Sequence, residues 1–202
     1  MKDNATSLDR SAAAPAAPVL LLGGQENALS LTRSLGKAGI SVSVASDASC
    51  VARPSKFCQA FYATPANTLP EQFWVELLLN TETSRIAPGT VILCGSDEAV
   101  GFVAENHAAL AQRYRLEINP PALQLDMLDK QETIRHALAA GVPAPKYVPL
   151  DANTDIAAAL DDIELPILVK PLQTHLFKRI FGTKMVLCHD RDTLQRSAEK
   201  AL

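Results

Sequence analysis

The apolar residues Val19-Leu20-Leu21-Leu22 run together without a polar interruption and stop at Gly23-Gly24. A run that short and that continuous fits a strand covered on both faces, as the strands of a parallel sheet are. Beyond it Ala28, Leu31, Leu35 and Ala38 recur at helical spacing, and Gly39 supplies the stop. Ile40, Val42 and Val44 then alternate with serines at the period of a strand, with Asp47 just past its end. Strand, helix and strand make a βαβ unit, for which a right-handed crossover is expected. Residues 57–63 form a weaker strand candidate, and a helix after Pro65 would turn Leu69, Phe73, Leu77 and Trp74 inward. Val91-Ile92-Leu93-Cys94 reads as another buried strand, and Gly95-Ser96-Asp97-Glu98 leads into a helix with Val100, Val103 and Leu110 inward. This alternation predicts a small doubly wound sheet of about four strands.

The pattern changes past residue 116. Residues 116–121 read as a last short strand and an extended crossing, since Pro120-Pro121 argues against a helix there, and the domain boundary is expected nearby. Asp129 is placed to cap a helix over residues 130–140, with Glu132 three positions on completing a capping box and Ile134, Ala137 and Leu138 forming the buried stripe. Gly141-Val142-Pro143 stops it. A short helix is expected within 151–160, strands at 167–170 and 184–189, and a final helix capped by Asp190 and running through Thr193, Leu194 and Ala198. The expected organisation is a leader over residues 1–18, which lacks any periodicity that could bury a face, an α/β domain over 19–121 and an α+β region over 122–202.

Composition narrows the partners more than the fold. With 19 basic and 22 acidic side chains the net charge is -3, so no overall field favours nucleic acid, and no basic amphipathic run favours a membrane surface. No stretch reaches the roughly 18 apolar residues of a spanning helix, and the first residues lack the apolar core of a secretory signal, which makes the cytoplasm the expected location. Cys50, Cys58, Cys94 and Cys188 have no C-x-x-C spacing and are read as reduced and structural.

The candidate chemistry begins at Lys170, where the run Leu165-Pro166-Ile167-Leu168-Val169 delivers a fixed positive charge at a strand's exit, suited to an anion. Lys130, in Leu128-Asp129-Lys130-Gln131-Glu132-Thr133, stands in a first helical turn, where unpaired N–H groups already favour anions. Each lysine alone could equally be a solvated or snorkelling side chain. Together, with the glycine-proline turn between them, they fit one polyphosphate.

In this order of elements, a "DK" helix start, a "GvPxP" turn (here Gly141-Val142-Pro143-Ala144-Pro145) and a strand ending "VKP" (Val169-Lys170-Pro171), the chain from Val19 onward resembles the ATP-grasp superfamily. The resemblance is to carboxylate-amine ligases and to the ATP-binding half of carbamoyl-phosphate synthase, and it implies a Rossmann-like pre-ATP-grasp domain followed by an incomplete ATP-grasp subdomain. It also implies ATP as cofactor, small-molecule carboxylate and amine substrates, an acyl phosphate intermediate, and a homodimer as an admissible assembly. Residues 172–184, between the last two strands, would be the lid over the triphosphate. The family's loop is often glycine-rich, whereas this one has Gly182 alone, so His175, Lys178 and Lys184 are expected to share the phosphate contacts; a charged hairpin with Phe177 and Phe181 inward remains an equal alternative. The co-substrate pocket would fall to the Gly23-Gly24 and Ser96-Asp97-Glu98 edges, at the carboxyl ends of strands. The magnesium ligands and adenine-ribose acids expected of the family have no counterpart before Leu202. The chain is therefore expected to be the N-terminal part of a longer ligase and inactive by itself.

Other chemistries find less support. Gly23-Gly24-Gln25-Glu26-Asn27-Ala28 breaks the G-x-G-x-x-G pattern at its third glycine, so although Asp47 lies about where a ribose-binding acid would, the glycines are taken to shape a tight turn and an NAD-dependent oxidoreductase is the less favoured reading. His107, His136, His175 and His189 have no partner at i+4, and no serine or cysteine stands in an activating motif, so neither a metal site nor a covalent nucleophile is predicted. The competing reading is a non-catalytic Rossmann-like module that binds a nucleotide or metabolite at the Gly23-Gly24 edge.

Overall fold

The computed structural model describes residues 16–80, 82, 84–161, 164–170 and 185–201. The chain divides into two compact units, one ending at Leu128 and the other beginning at Asp129.

The first unit is built on four strands: β1 (Val19–Leu22), β2 (Val42–Ser46), β3 (Cys58–Ala63) and β4 (Val91–Cys94). All pair in parallel, in the order β3-β2-β1-β4, with Leu20 beside Ser43 on one side and Ile92 on the other. The continuous apolar run of β1 is explained by this central place, and all four of its residues are buried. Alternate residues feed two cores. Leu20 and Leu22 pack with Trp74, Leu78, Phe102 and Val103 on one face, while Val19 and Leu21 pack with Ala28, Val42 and Val44 on the other. Helix α1 (Glu26–Lys37) covers the second face and ends at Ala38-Gly39, where Gly39 takes φ +81°.

On the first face lie α2 (Pro70–Trp74), continuing as a π-helical turn over Val75–Leu79, α3 (Asp97–Glu105), α4 (His107–Leu110) and α5 (Pro121–Leu128). Trp74 is the largest fully buried side chain and meets Phe102 with ring centroids 5.6 Å apart. Leu69, expected inward, is 61% exposed because it is the extended residue preceding α2 and so lies outside the helical phase. Ser96 caps α3 by accepting a hydrogen bond from the Ala99 amide at 3.3 Å, which sets Ala99, Phe102 and Val103 inward and leaves Val100 half-buried. The strand expected at 116–121 is reduced to one parallel bridge between Arg115 and Val91. Pro121 opens α5 instead of excluding it, since the first N–H groups of a helix have no intrahelical acceptor to lose. Helix α5 packs on α3, and this contact carries the first unit to Leu128.

In the second unit α6 (Lys130–Ala139) begins at Asp129, whose carboxylate accepts from the Gln131 and Glu132 amides. The Glu132 carboxylate meets Arg135 at 2.6 Å. Gly141, at φ +74°, closes the helix with Gly141 N–H on the Leu138 carbonyl and Val142 N–H on the Ala137 carbonyl, the paired bonds of a Schellman end. The stripe expected on α6 is not buried, and Leu138 is 58% exposed. The core of this unit comes from other elements: α7 (Ile156–Leu160), the antiparallel pair β5 (Ile167–Val169) and β6 (Val186–Cys188), and α8 (Arg191–Ala201). Leu160, Cys188, Leu194 and Ala198 are buried there, with Ile167, Val169 and Val186 against them. Asp190 caps α8 through the Thr193 amide at 2.7 Å. Among the described residues no helix is long and apolar enough to cross a membrane. The four cysteines are free thiols.

Candidate functional site

The carboxyl ends of the parallel strands in the first unit surround an open cleft of about 660 Å³. Its position follows from topology: β1 and β4 are neighbours, and the connections leaving them run to opposite faces of the sheet, to α1 and to α3, which leaves a crevice at their ends. Gly23 and Gly24 form the crevice floor at φ +65° and +81°. Backbone bonds run on past the strand, with the Gly23 amide on the Ala45 carbonyl and the Gly95 amide on the Leu22 carbonyl, both at 2.8 Å. The two turns lie so close that a Cβ on Gly24 would stand 2.5 Å from the Gly95 oxygen. Glycine here serves close approach, in keeping with the expectation of a tight turn.

Asp47 stands at the rim, immediately after β2, and its carboxylate is fixed on both oxygens. Oδ1 accepts from the Ser49 amide at 2.9 Å and from the Ser49 hydroxyl, and Oδ2 accepts from Gln25 Nε2 at 2.9 Å. The same Gln25 side chain accepts from the Val51 amide through Oε1 at 3.2 Å. An exposed carboxylate held by three donors keeps one orientation toward the cleft. Thr64, Ser96, Glu98 and Trp74 also line the cleft, and the Trp74 indole N–H donates to the Ala45 carbonyl at 3.4 Å. Thr64 Oγ1 is a buried hydroxyl with no hydrogen-bond partner among the described residues.

Of the residues expected at this edge, Gly23, Gly24, Ser96 and Glu98 line the cleft, while Asp97 begins α3 as an exposed residue outside it. Gln25, Ser49 and Thr64 are not marked as site residues by the sequence, and Trp74 is read there only as an inward helix position. A usable signal existed for Thr64, which is the first residue past the end of β3, in the row where open α/β sheets collect ligands.

In the second unit Lys130 is the first residue of α6 and Lys170 the first residue after β5, and both are exposed. The hairpin alternates: Ile167, Val169, Val186 and Cys188 face the core, whereas Leu168 and Leu187, at 43% and 50% exposure, face away. Period two places Lys170 on the same side as Leu168, and one more step of the pairing sets it opposite Met185, itself 44% exposed. The hairpin therefore offers a small apolar face with an ammonium group at its edge. His175, Lys178 and Lys184 lie outside the described residues. Within neither unit alone do three candidate metal ligands gather among the described residues.

No family model matches the sequence, and no curated protein matches it. Its fold matches solved structures. An L-amino acid ligase from Bacillus licheniformis aligns over 93% of this chain and 43% of its own, at 15% identity and a TM-score of 0.61. The N5-carboxyaminoimidazole synthetase of Staphylococcus aureus, solved with ADP, aligns over 92% and 44%, at 17% identity and a TM-score of 0.61. The biotin carboxylase domain of the Hydrogenobacter thermophilus 2-oxoglutarate carboxylase, solved with MgADP and bicarbonate, aligns over 91% and 40%, at 20% identity and a TM-score of 0.57. The chain spans less than half the length of these structures, and it has the fold of the N-terminal portion of ATP-grasp ligases.

Proposed function

We propose that this chain is the N-terminal portion of an ATP-dependent ligase that activates a small carboxylate for attack by an amine. The observation that carries the reading is the open face of the β5–β6 hairpin, where Leu168 and Leu187 give an apolar surface and Lys170 an edge charge. A nucleotide has the same two-part chemistry, a flat apolar base and an anionic tail. Lys130, in the first turn of α6, adds a second ammonium group at a helix start whose Gln131 and Glu132 amides are capped by Asp129. The fold likeness supports this assignment over a free-standing metabolite-binding module, because it extends beyond the parallel sheet to the second unit.

In this reading a carboxylate oxygen of the substrate attacks the γ-phosphorus. The new P–O bond forms as the bond to the β,γ-bridging oxygen breaks, and ADP leaves. The amine nitrogen then forms a C–N bond at the acyl carbon, phosphate departs with the C–O electron pair, and the amine loses a proton. Lysine ammonium groups serve such a transfer by positioning the phosphates and neutralising charge that spreads over their oxygens. Lys130 and Lys170 are assigned that task, and His175, Lys178 and Lys184 are proposed to share it. Magnesium, when bound, would supply further neutralisation of the phosphate charge; following the family resemblance its ligands are proposed to lie outside this chain, and no step here depends on it.

Calorimetric titration of the chain with ATP tests the reading. Saturable binding is expected, weakened about ten-fold or more by Lys170→Ala, as for loss of one charge-assisted contact. ATP affinity unchanged in both Lys170→Ala and Lys130→Ala would sink it.

A further inference from the structure

We draw no further inference here: the strongest candidate, the outer edge of β3 in the first unit, whose residues Cys58–Ala63 carry neither a charge nor a proline, has no strand beside it among the described residues, and nothing in the structure shows what covers it.

Discussion

Gly24→Ala isolates the close approach on which the floor of the cleft depends, because Gly39 provides a matched control. Both glycines sit at φ +81°. A side chain in that left-handed region costs about 1–2 kcal/mol, offset by about 0.4–1 kcal/mol from the reduced freedom of the unfolded chain. A Cβ on Gly39 meets nothing within 4 Å, so Gly39→Ala should cost only the backbone strain, about 1 kcal/mol. On Gly24 the same Cβ would stand 2.5 Å from the Gly95 oxygen and 2.9 Å from its carbonyl carbon, both backbone atoms. They cannot swing aside like a side-chain tip, because the Gly95 amide is tied to the Leu22 carbonyl at 2.8 Å. Relief requires parting the ends of β1 and β4, which adds about 1–3 kcal/mol, the usual cost of overpacking. Gly24→Ala should therefore lose about 2–4 kcal/mol in all. Urea denaturation followed by Trp74 fluorescence reads this directly, since Trp74 is buried beside the cleft. With a slope of about 2 kcal/mol per M, the midpoint should fall by about 1–2 M for Gly24→Ala and about 0.5 M for Gly39→Ala. Equal midpoints for the two variants would refute the reasoning, whatever their absolute values.

Three further outcomes are expected. Ser96→Ala removes the acceptor of the Ala99 amide at the start of α3, so calorimetry should show a loss of about 1 kcal/mol with the fold retained. The Cys94 thiol is pushed up to about 11 by burial and then by the nearby Glu117 carboxylate, so iodoacetamide at about pH 8 should leave it largely unmodified until the first unit unfolds. The Asp190 carboxyl is held below the usual range by the Thr193 amide first and the Thr193 hydroxyl next. A carboxyl whose folded pKa is depressed contributes its stability above the unfolded value near 4 and loses it as pH falls through the folded value. The melting temperature of the parent should thus exceed that of Asp190→Asn at neutral pH and converge on it in acid, and a gap independent of pH would show that the cap works without its charge.

Legibility followed how locally each feature is determined. The sheet could be read because β1 and β4 are short apolar runs bounded by Gly23-Gly24 and Gly95-Ser96, and their bounds agree with the expectation. Caps were legible for the same reason: Asp129 and Asp190 act on amides two and three residues away. Errors arose where a rule of exclusion was applied without its context. Pro120-Pro121 was read as forbidding a helix, yet Pro121 occupies the first helical position, where a missing N–H removes no bond. Leu138 was assigned to a buried stripe from spacing alone, and spacing cannot say whether a partner element stands opposite.

The cleft shows the deeper limit. Its lining is assembled from residues just past separate strands, Gly23, Asp47 and Thr64 directly after β1, β2 and β3 and Ser96 two residues after β4, spread along the chain and joined only by the order β3-β2-β1-β4. Each is unremarkable in its own segment: two glycines before a helix, an acid after a strand, a threonine before a proline, a serine cap. The charge of the cleft is likewise a property of the assembly, because the overall charge of -3 is nearly balanced while the described residues that line the cleft include two acids and no base. A near-neutral chain can therefore hold a locally polarised cleft, and the absence of a global field, which bears on nucleic acid and membranes, carries no information about the local charge of the crevice.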